Sequence, residues 1–462
     1  MGIVAALAKM ANYIPTISKP VQKPSLYRRL AWTGIVLVIY LIMANTPLFG
    51  IAKQGQTQID LQRIIFASKA GTLMELGIGP IVTAGLILQV LIGAKIIDMD
   101  LTDPDDKRTF TAAQKTLAVL FGIFEASMYV LGCRYWTLAP GAGNPITGCT
   151  ASWLDRTLVI IELSLATFIV ILMDEMLQKG WGIGSAISLF ILAGVAETMM
   201  WSLLGFVPGT ANYYGFIPAL LKTPVMDLIV RPRGFPDLTG LIFTLGIILL
   251  LVYTQSTRVE IPITSQRMRG IRSKIPLQFM YVTNIPVLLL GITVADLQLL
   301  GNLSANLLNP NSIWGKILGD TVYYLSPPRG VLMSLADPVK TVVFAVSWTV
   351  ISILFGFMWV EIAGLNPSQQ AENLVKSGME IPGMRRNPKI IERVLAKYIY
   401  PLTLLSSILV GIIAVTADIF GAYGSGTGIL LAVGIIYQYY TMISYERALE
   451  TYPLLRRILG EE

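Results

Sequence analysis

Six carboxylates lie within or beside long apolar stretches of this chain and are the first candidates for chemistry. Glu125 sits in the middle of the run FGIFEASMYV, and the other five lie nearer the ends of their runs: Glu162, Glu197, Asp296, Glu361 and Asp418. A carboxylate at mid-membrane is costly and by default marks a functional site. The alternative is a hydrogen-bonded link between neighbouring helices. Because the six are dispersed rather than gathered at one depth, we favour the link, with Thr83 or Asn284 as partners of Glu125.

The residue types that are absent exclude several kinds of enzyme. The 462 residues contain no histidine, which removes HExxH zinc sites, Ser–His and Cys–His nucleophile pairs, and imidazole proton relays. No G-x-x-x-x-G-K-S/T sequence occurs, so that route to nucleotide binding is also absent. We therefore predict neither catalysis nor a cofactor, and any energy for transport has to come from a gradient or a partner.

The two cysteines, Cys133 and Cys149, fall in one connection between apolar stretches. Two thiols at this spacing on an outward-facing loop could form a disulfide. They could equally remain two small unpaired side chains, and the sequence leaves both alternatives open.

These residues have to be positioned by a bundle of membrane helices. The chain is 54% hydrophobic and 14% charged, with a mean hydropathy of +0.65. That composition predicts an all-α polytopic membrane protein. Apolar runs of spanning length predict ten spans, at residues 30–49, 76–93, 115–135, 156–177, 183–206, 238–256, 276–300, 337–364, 399–420 and 427–445.

The distribution of basic residues predicts the orientation of the spans. If the N-terminal segment (1–29) is cytoplasmic, the inside segments hold 24 of the 35 lysines and arginines. The positive-inside rule then places both this segment and the tail (446–462) in the cytoplasm. The expected location is the cell membrane.

Two of the cytoplasmic connections, residues 258–274 and 376–397, are long and rich in arginine, proline and glycine. Basic loops can be simple topology signals or can bind anionic lipid. Their length and fixed turns favour a docking surface, and arginine suits the phosphates of an RNA-rich partner.

The second span, residues 76–93, carries no charge but begins with Gly77, Gly79 and Pro80. Proline and glycine free backbone groups that lipid cannot satisfy, so the start of this span should face protein or water. The preceding segment, residues 61–73, is too short to cross a bilayer and contains Arg63 and Lys69. A half-length segment before such a helix is typical of channels and transporters.

Short motifs are spread over nearly the whole chain: GTL at 71–73, LGIGPIVTAG at 76–85, WTGIVL at 32–37, DE at 174–175, GIGS at 182–185, RVEIP at 258–262, YVTNIP at 281–286, WVE at 359–361 and GSGTG at 424–428. In their sequences and in their order along the chain, these motifs resemble the SecY family of Sec protein-conducting channels, in its archaeal form.

The resemblance implies two pseudo-symmetric halves of five helices each, at 30–206 and 238–445, hinged around a central pore and joined by an external linker at 207–237. It also implies a ring of apolar side chains that narrows the pore: Ile78, Val82, Ile187, Ile191, Leu288 and Leu431. The first four form two i,i+4 pairs, each facing one direction. Without the resemblance they would be ordinary core or lipid-facing side chains.

The resemblance further implies a short re-entrant plug helix at 60–70, with the residues Asp60, Arg63, Ile64, Ile65, Ala67, Ser68 and Ala70. A lateral gate between spans two and three and spans seven and eight would hold a polar cluster of Thr83, Glu125 and Asn284.

The basic loops, bounded at 257–275 and 365–398, would dock the ribosome or a SecA motor through Arg267, Arg269, Arg272, Lys274, Arg385 and Arg386. Implied partners are a SecE/gamma subunit, a small beta subunit, signal peptides with their nascent chains, and membrane lipids. The predicted function is to conduct unfolded secretory chains and release membrane segments sideways into lipid. The alternative is a secondary transporter for a small solute, which clustered intramembrane charges would favour.

Overall fold

The computed structural model of the chain describes residues 2–51, 67–93, 96–97, 99, 103–137, 149–206, 214–221, 224–231, 234–265, 271–282, 285–307, 313–376, 379–380 and 387–451. The first half of this part contains six helices: α1 (Gly2–Met10), α2 (Leu26–Asn45), α3 (Gly79–Gly93), α4 (Pro104–Leu131), α5 (Trp153–Met176) and α6 (Ala186–Leu204). A π-helical turn, Leu177–Trp181, extends α5.

The second half follows two short connecting helices, α7 (Phe216–Leu220) and α8 (Val225–Ile229). Its helices are α9 (Leu238–Ser256), α10 (Ile285–Leu307), α11 (Ile313–Leu325), α12 (Val331–Ala336), α13 (Pro338–Ile362), α14 (Pro367–Lys376), α15 (Pro388–Ile419) and α16 (Gly426–Thr451). Ten helices of the described part overlap the ten predicted spans, one in each: α2–α6, α9, α10, α13, α15 and α16.

Local sequence explains where several of these helices begin. The side chain before the first helical residue accepts a backbone N–H in five cases, which satisfies one of the donors that every helix start leaves unpaired. These residues are Asp103, Ser152, Asp237, Asp337 and Asn387. In α4, α13 and α15 a proline also occupies the first turn, where its missing N–H costs nothing.

Membrane insertion explains the surface of the bundle. In the described part, seven helices are long and apolar enough to cross a membrane, and α3 is a shorter apolar helix. Large apolar side chains point outward along them, for example Ile42 at 61% exposure on α2 and Leu249 at 71% on α9. So much exposed apolar surface is incompatible with water but is what lipid requires.

The two halves share one apolar core. It includes Tyr40 and Phe190, whose rings stack at 4.5 Å in the first half, and Trp348 in the second. The halves contact each other along two edges. At one edge α3 packs against α10 and α13, and at the other α6 packs against α16. We call these the α3 edge and the α6 edge.

Both ends of the described chain lie on one side of the bundle, which we call the terminal face. Lys23, just before α2, forms an ion pair with Glu446 near the end of α16 at 3.2 Å. An even number of long helices produces this arrangement.

A small antiparallel sheet on the terminal face was not predicted. Strands β1 (Arg258–Ser265) and β2 (Ile271–Gln278) form a hairpin, and β3 (Met379–Glu380) pairs with Thr264 and Ser265 of β1. The two basic loops, separate in the sequence, therefore belong to one sheet. Because β2 occupies residues assigned to the seventh span, that span was begun too early at 276, and α10 starts at Ile285.

Candidate functional site

The six apolar residues predicted as a ring come together in the core that the halves share. Ile78, Ile191 and Leu431 are at most 1% exposed, and Val82, Ile187 and Leu288 pack against the same cluster. They are carried by α3 and the turn before it, by α6, by α10 and by α16. Two of these elements belong to each half, so the six residues, which we call the apolar centre, come from both halves of that core.

The turn before α3 is what places Ile78 at this centre. Gly77 has a φ of +54°, a conformation that an L side chain adopts only at a cost. The carbonyl of Ile78 accepts the N–H of Val82 at 3.1 Å, so the helical turn already begins at residue 78. The predicted i,i+4 pair is therefore continuous with the helix.

The end of the predicted plug segment lies against α2 and α6. Tyr40 donates its hydroxyl to the carbonyl of Ala67 at 3.2 Å, and Ala67 is 1% exposed. Ser68 and Ala70 are half-buried beside it. Lys69 binds Glu197 on α6 at 2.9 Å. The other predicted plug residues lie outside the described residues: Asp60, Arg63, Ile64 and Ile65.

The polar contact at the α3 edge has a different composition from the predicted one. Thr83 on α3 donates to Asp296 on α10 at 3.3 Å, rather than to Glu125. Glu125, on α4, is buried. Asn284 lies outside the described residues. The sequence identified Asp296 only as a charge near a helix end, since nothing local indicates which helix faces it.

The hairpin places two of the predicted docking residues on β2. Arg272 lies opposite Thr264, and Lys274 lies opposite Pro262 and forms an ion pair with Glu260. The other four predicted docking residues lie outside the described residues: Arg267, Arg269, Arg385 and Arg386. An alternating pattern of Val259, Ile261 and Ile263 was present in the sequence and is the signal that would have predicted the strand.

Cys133 and Cys149 form a disulfide on the face opposite the termini, with their Cα atoms 5.8 Å apart. The bond joins the end of α4 to the start of α5. Around it lies a compact apolar cluster that includes Tyr129 and Trp136. Trp136 also donates to the carbonyl of Gly50 at 3.0 Å, which connects the cluster to the segment after α2.

Replacing both cysteines with serine should lower the free energy of unfolding by about 3 kcal/mol, because the unfolded chain regains the entropy of an open loop. Thermal unfolding of the purified protein with and without reductant measures the effect. Reductant should lower the melting temperature of the wild type to that of the double variant and leave the variant unchanged. If reductant does not change the melting temperature of the wild type, the disulfide does not stabilise the protein.

Known proteins are similar to this chain over its full length. A family model described as SecY matches residues 72–440, and one described as the plug domain of Sec61p matches residues 38–71. The protein translocase subunit SecY of Aeropyrum pernix is 61% identical, and that of Saccharolobus solfataricus is 45% identical. In both comparisons 100% of each chain is covered.

Two solved structures share the fold. A protein-conducting channel has a TM-score of 0.76 at 34% identity, covering 96% of this chain and 97% of that chain. Sec61 from a canine ribosome–channel complex has a TM-score of 0.74 at 33% identity, with the same coverage. The fold and the family matches thus define the class, a helical membrane channel that conducts polypeptides and is not an enzyme. The chain belongs to the SecY family, and it is the pore-forming subunit of a Sec translocon.

Proposed function

We propose that the six side chains at the apolar centre form the constriction through which an unfolded secretory chain passes. The observation that carries this proposal is their origin in both halves. A constriction built from two bodies can widen when the bodies separate. Branched apolar side chains exclude water and ions from a narrow passage, and they offer a moving peptide no strong binding site.

The segment at 60–70 acts as the plug in this proposal, and the α3 edge acts as the lateral gate. Support for the plug comes from the family match to a plug domain over residues 38–71 and from the packing of Ala67 between α2 and α6. One support for the gate is the contact of α3 with α10 and α13. The other is that, in the described part, a single hydrogen bond between side chains crosses this edge, from Thr83 to Asp296.

The expected orientation places the terminal face in the cytoplasm, in a multi-pass protein of the cell membrane. The sheet on that face would dock a translating ribosome, which supplies the driving force. Relatives support this, since Sec61 is found in a ribosome–channel complex. The exposed lipid-facing sides of α2 and α9 leave room for a SecE/gamma subunit and a small beta subunit.

Site-specific crosslinking tests the constriction. A photoreactive residue at position 78, 82 or 191 should form adducts with a stalled nascent chain on bound ribosomes. The same probe at Ile242, a lipid-facing residue that is 58% exposed, should form none. An absence of adducts at all three positions, together with solute uptake by the purified protein in vesicles, would support a small-solute transporter instead.

Replacing Thr83 with valine should make the gate easier to open, because it removes the hydrogen bond to Asp296 at nearly constant volume. Hydrogen bonds between membrane helices contribute about 0.6–2 kcal/mol. We expect higher insertion of nascent chains with weakly hydrophobic signals, measured by protease protection. Thr293→Val is the control, since Thr293 bonds only to Leu289 within its own helix in the described part. Equal effects of both variants would contradict the assignment.

Replacing Arg385 and Arg386 with glutamate should weaken ribosome binding at least about tenfold and flatten its dependence on salt, because phosphate contacts are lost. Co-sedimentation with ribosomes over a salt series measures both quantities. Lys340→Glu makes a charge reversal on the opposite face, where Lys340 lies over the ring of Tyr323. Binding that is unchanged in the arginine variant would exclude this docking site.

A further inference from the structure

A segment of the chain runs across the terminal face before it enters the membrane. We call residues 15–29 the strap. It is held to the first half by donors from three positions: Lys115 Nζ to the carbonyl of Pro15 at 2.8 Å, Lys179 to that of Ile17, and Trp181 Nε1 to that of Ser18 at 2.9 Å. The strap therefore moves with α4 and the end of α5.

The other end of the strap is held to the second half. The carboxylate of Glu446 on α16 lies 2.7 Å from Arg29 and 3.2 Å from Lys23. One turn later on α16, Glu450 accepts the backbone N–H of Leu26 at 2.7 Å. Among the ion pairs of the described residues, the two that join the halves both end on Glu446.

Arg29 is the residue at which both attachments meet. Its Nε donates to the carbonyl of Gly182 at 3.0 Å, in the turn between α5 and α6, while its other nitrogen faces Glu446. The side chains of Arg29 and Glu446 are only 13% and 19% exposed. A pair that is shielded from water is screened less by salt than a surface pair.

This junction lies at the α6 edge, away from the gate at the α3 edge. Close by, Tyr439 on α16 donates its hydroxyl to the carbonyl of Ser185 at 3.0 Å. A Cβ added to Gly184 would lie 2.8 Å from the Tyr439 ring, so backbone and ring already touch. The α6 edge is thus closely packed on the terminal side. Any rotation that separates the halves at the α3 edge has to be accommodated at this edge.

We propose that Arg29 and Glu446 form a latch that limits how far the two halves separate. The latch thereby sets how hydrophobic a signal sequence has to be to open the gate. They are positioning residues, since they act on the halves and not on the passing chain. The inference rests on the proposed gate. A weaker latch lowers the energy of the open state relative to the closed state, so signals that normally fail become sufficient.

The test uses the full chain with its partner subunits in vesicles and two secretory substrates, one with a strong signal and one with a shortened apolar core. In Arg29→Gln and in Glu446→Gln, translocation of the weak-signal substrate should rise at least threefold and that of the strong-signal substrate should change less than twofold. Glu446→Asp keeps the charge and should give an intermediate ratio.

Glu372→Gln is the matched control, because Glu372 pairs with Lys376 inside α14, so this ion pair does not connect the two halves. A ratio that stays constant in both single variants, or an equal loss of both substrates, would overturn the latch. Crosslinks from position 78 to the nascent chain report separately on the pore. If they persist while the ratio is unchanged, only the latch is wrong.

Discussion

Asparagine at position 78 or 191 should make the resting channel leak ions. Ile78, in the turn before α3, and Ile191, on α6, are at most 1% exposed, and each contributes a branched side chain to the apolar centre. A polar side chain there hydrates the passage and removes the dewetting barrier. We expect single-channel conductance events at least about tenfold more frequent than in the wild type, recorded in planar bilayers without substrate.

The same substitutions should also destabilise the protein, by about 2–5 kcal/mol for the lost apolar burial and the cavity. Thermal unfolding of the purified variants separates this loss from the leak. Ile242→Asn is the control, because Ile242 faces lipid on α9. This variant should not increase ion conductance across the bilayer. If the Ile78→Asn and Ile191→Asn channels fold and show no extra ion conductance, the barrier to ions lies elsewhere in the channel.

Alanine at position 426 should prevent the chain from folding stably. A Cβ on Gly426 would lie 2.2 Å from the carbonyl oxygen of Ala414 and 2.7 Å from its Cα, and both are backbone atoms of α15. The backbone cannot move away, because the N–H of Gly426 is bonded to Asp418 at 2.8 Å. Overpacking of this kind costs about 3 kcal/mol or more.

The yield of detergent-resistant protein and its melting temperature measure the effect. Gly246→Ala makes the matched change in a helix of the same half, where nothing lies within 4 Å of the added carbon. That variant should be as stable as the wild type or slightly more stable, since alanine favours helix over glycine. If the two variants melt together, the close approach of α15 and α16 is not a constraint.

The sequence was most informative where one physical signal dominated. Each apolar run overlaps one helix of the described part, because lipid requires about 20 apolar residues per span. It was less informative where partners are distant along the chain. The bond from Thr83 to Asp296 joins helices 213 residues apart, and nothing in either helix indicates which side faces the other. The predicted partner, Glu125, is not the acceptor of that bond.

Two features were missed for different reasons. The alternation of Val259, Ile261 and Ile263 was a readable strand pattern, but arginine and proline in the same stretch suggested an irregular loop. The ion pair of Arg29 with Glu446 had no such signal, because both residues are ordinary charges at helix ends. The packing of α6 against both α2 and α16, together with the direct contact of α2 with α16, brings them together.

The hairpin also determines how far from the lipid a docked partner is held. Strands of eight residues reach about 26 Å at 3.3 Å per residue. Under the proposed docking, a ribosome held at the far ends of these strands would stand clear of the bundle and leave a lateral opening around the emerging chain. Water and ions would pass freely through such a gap. Electrical insulation of the cell would then depend on the channel's own centre and not on the junction with the ribosome.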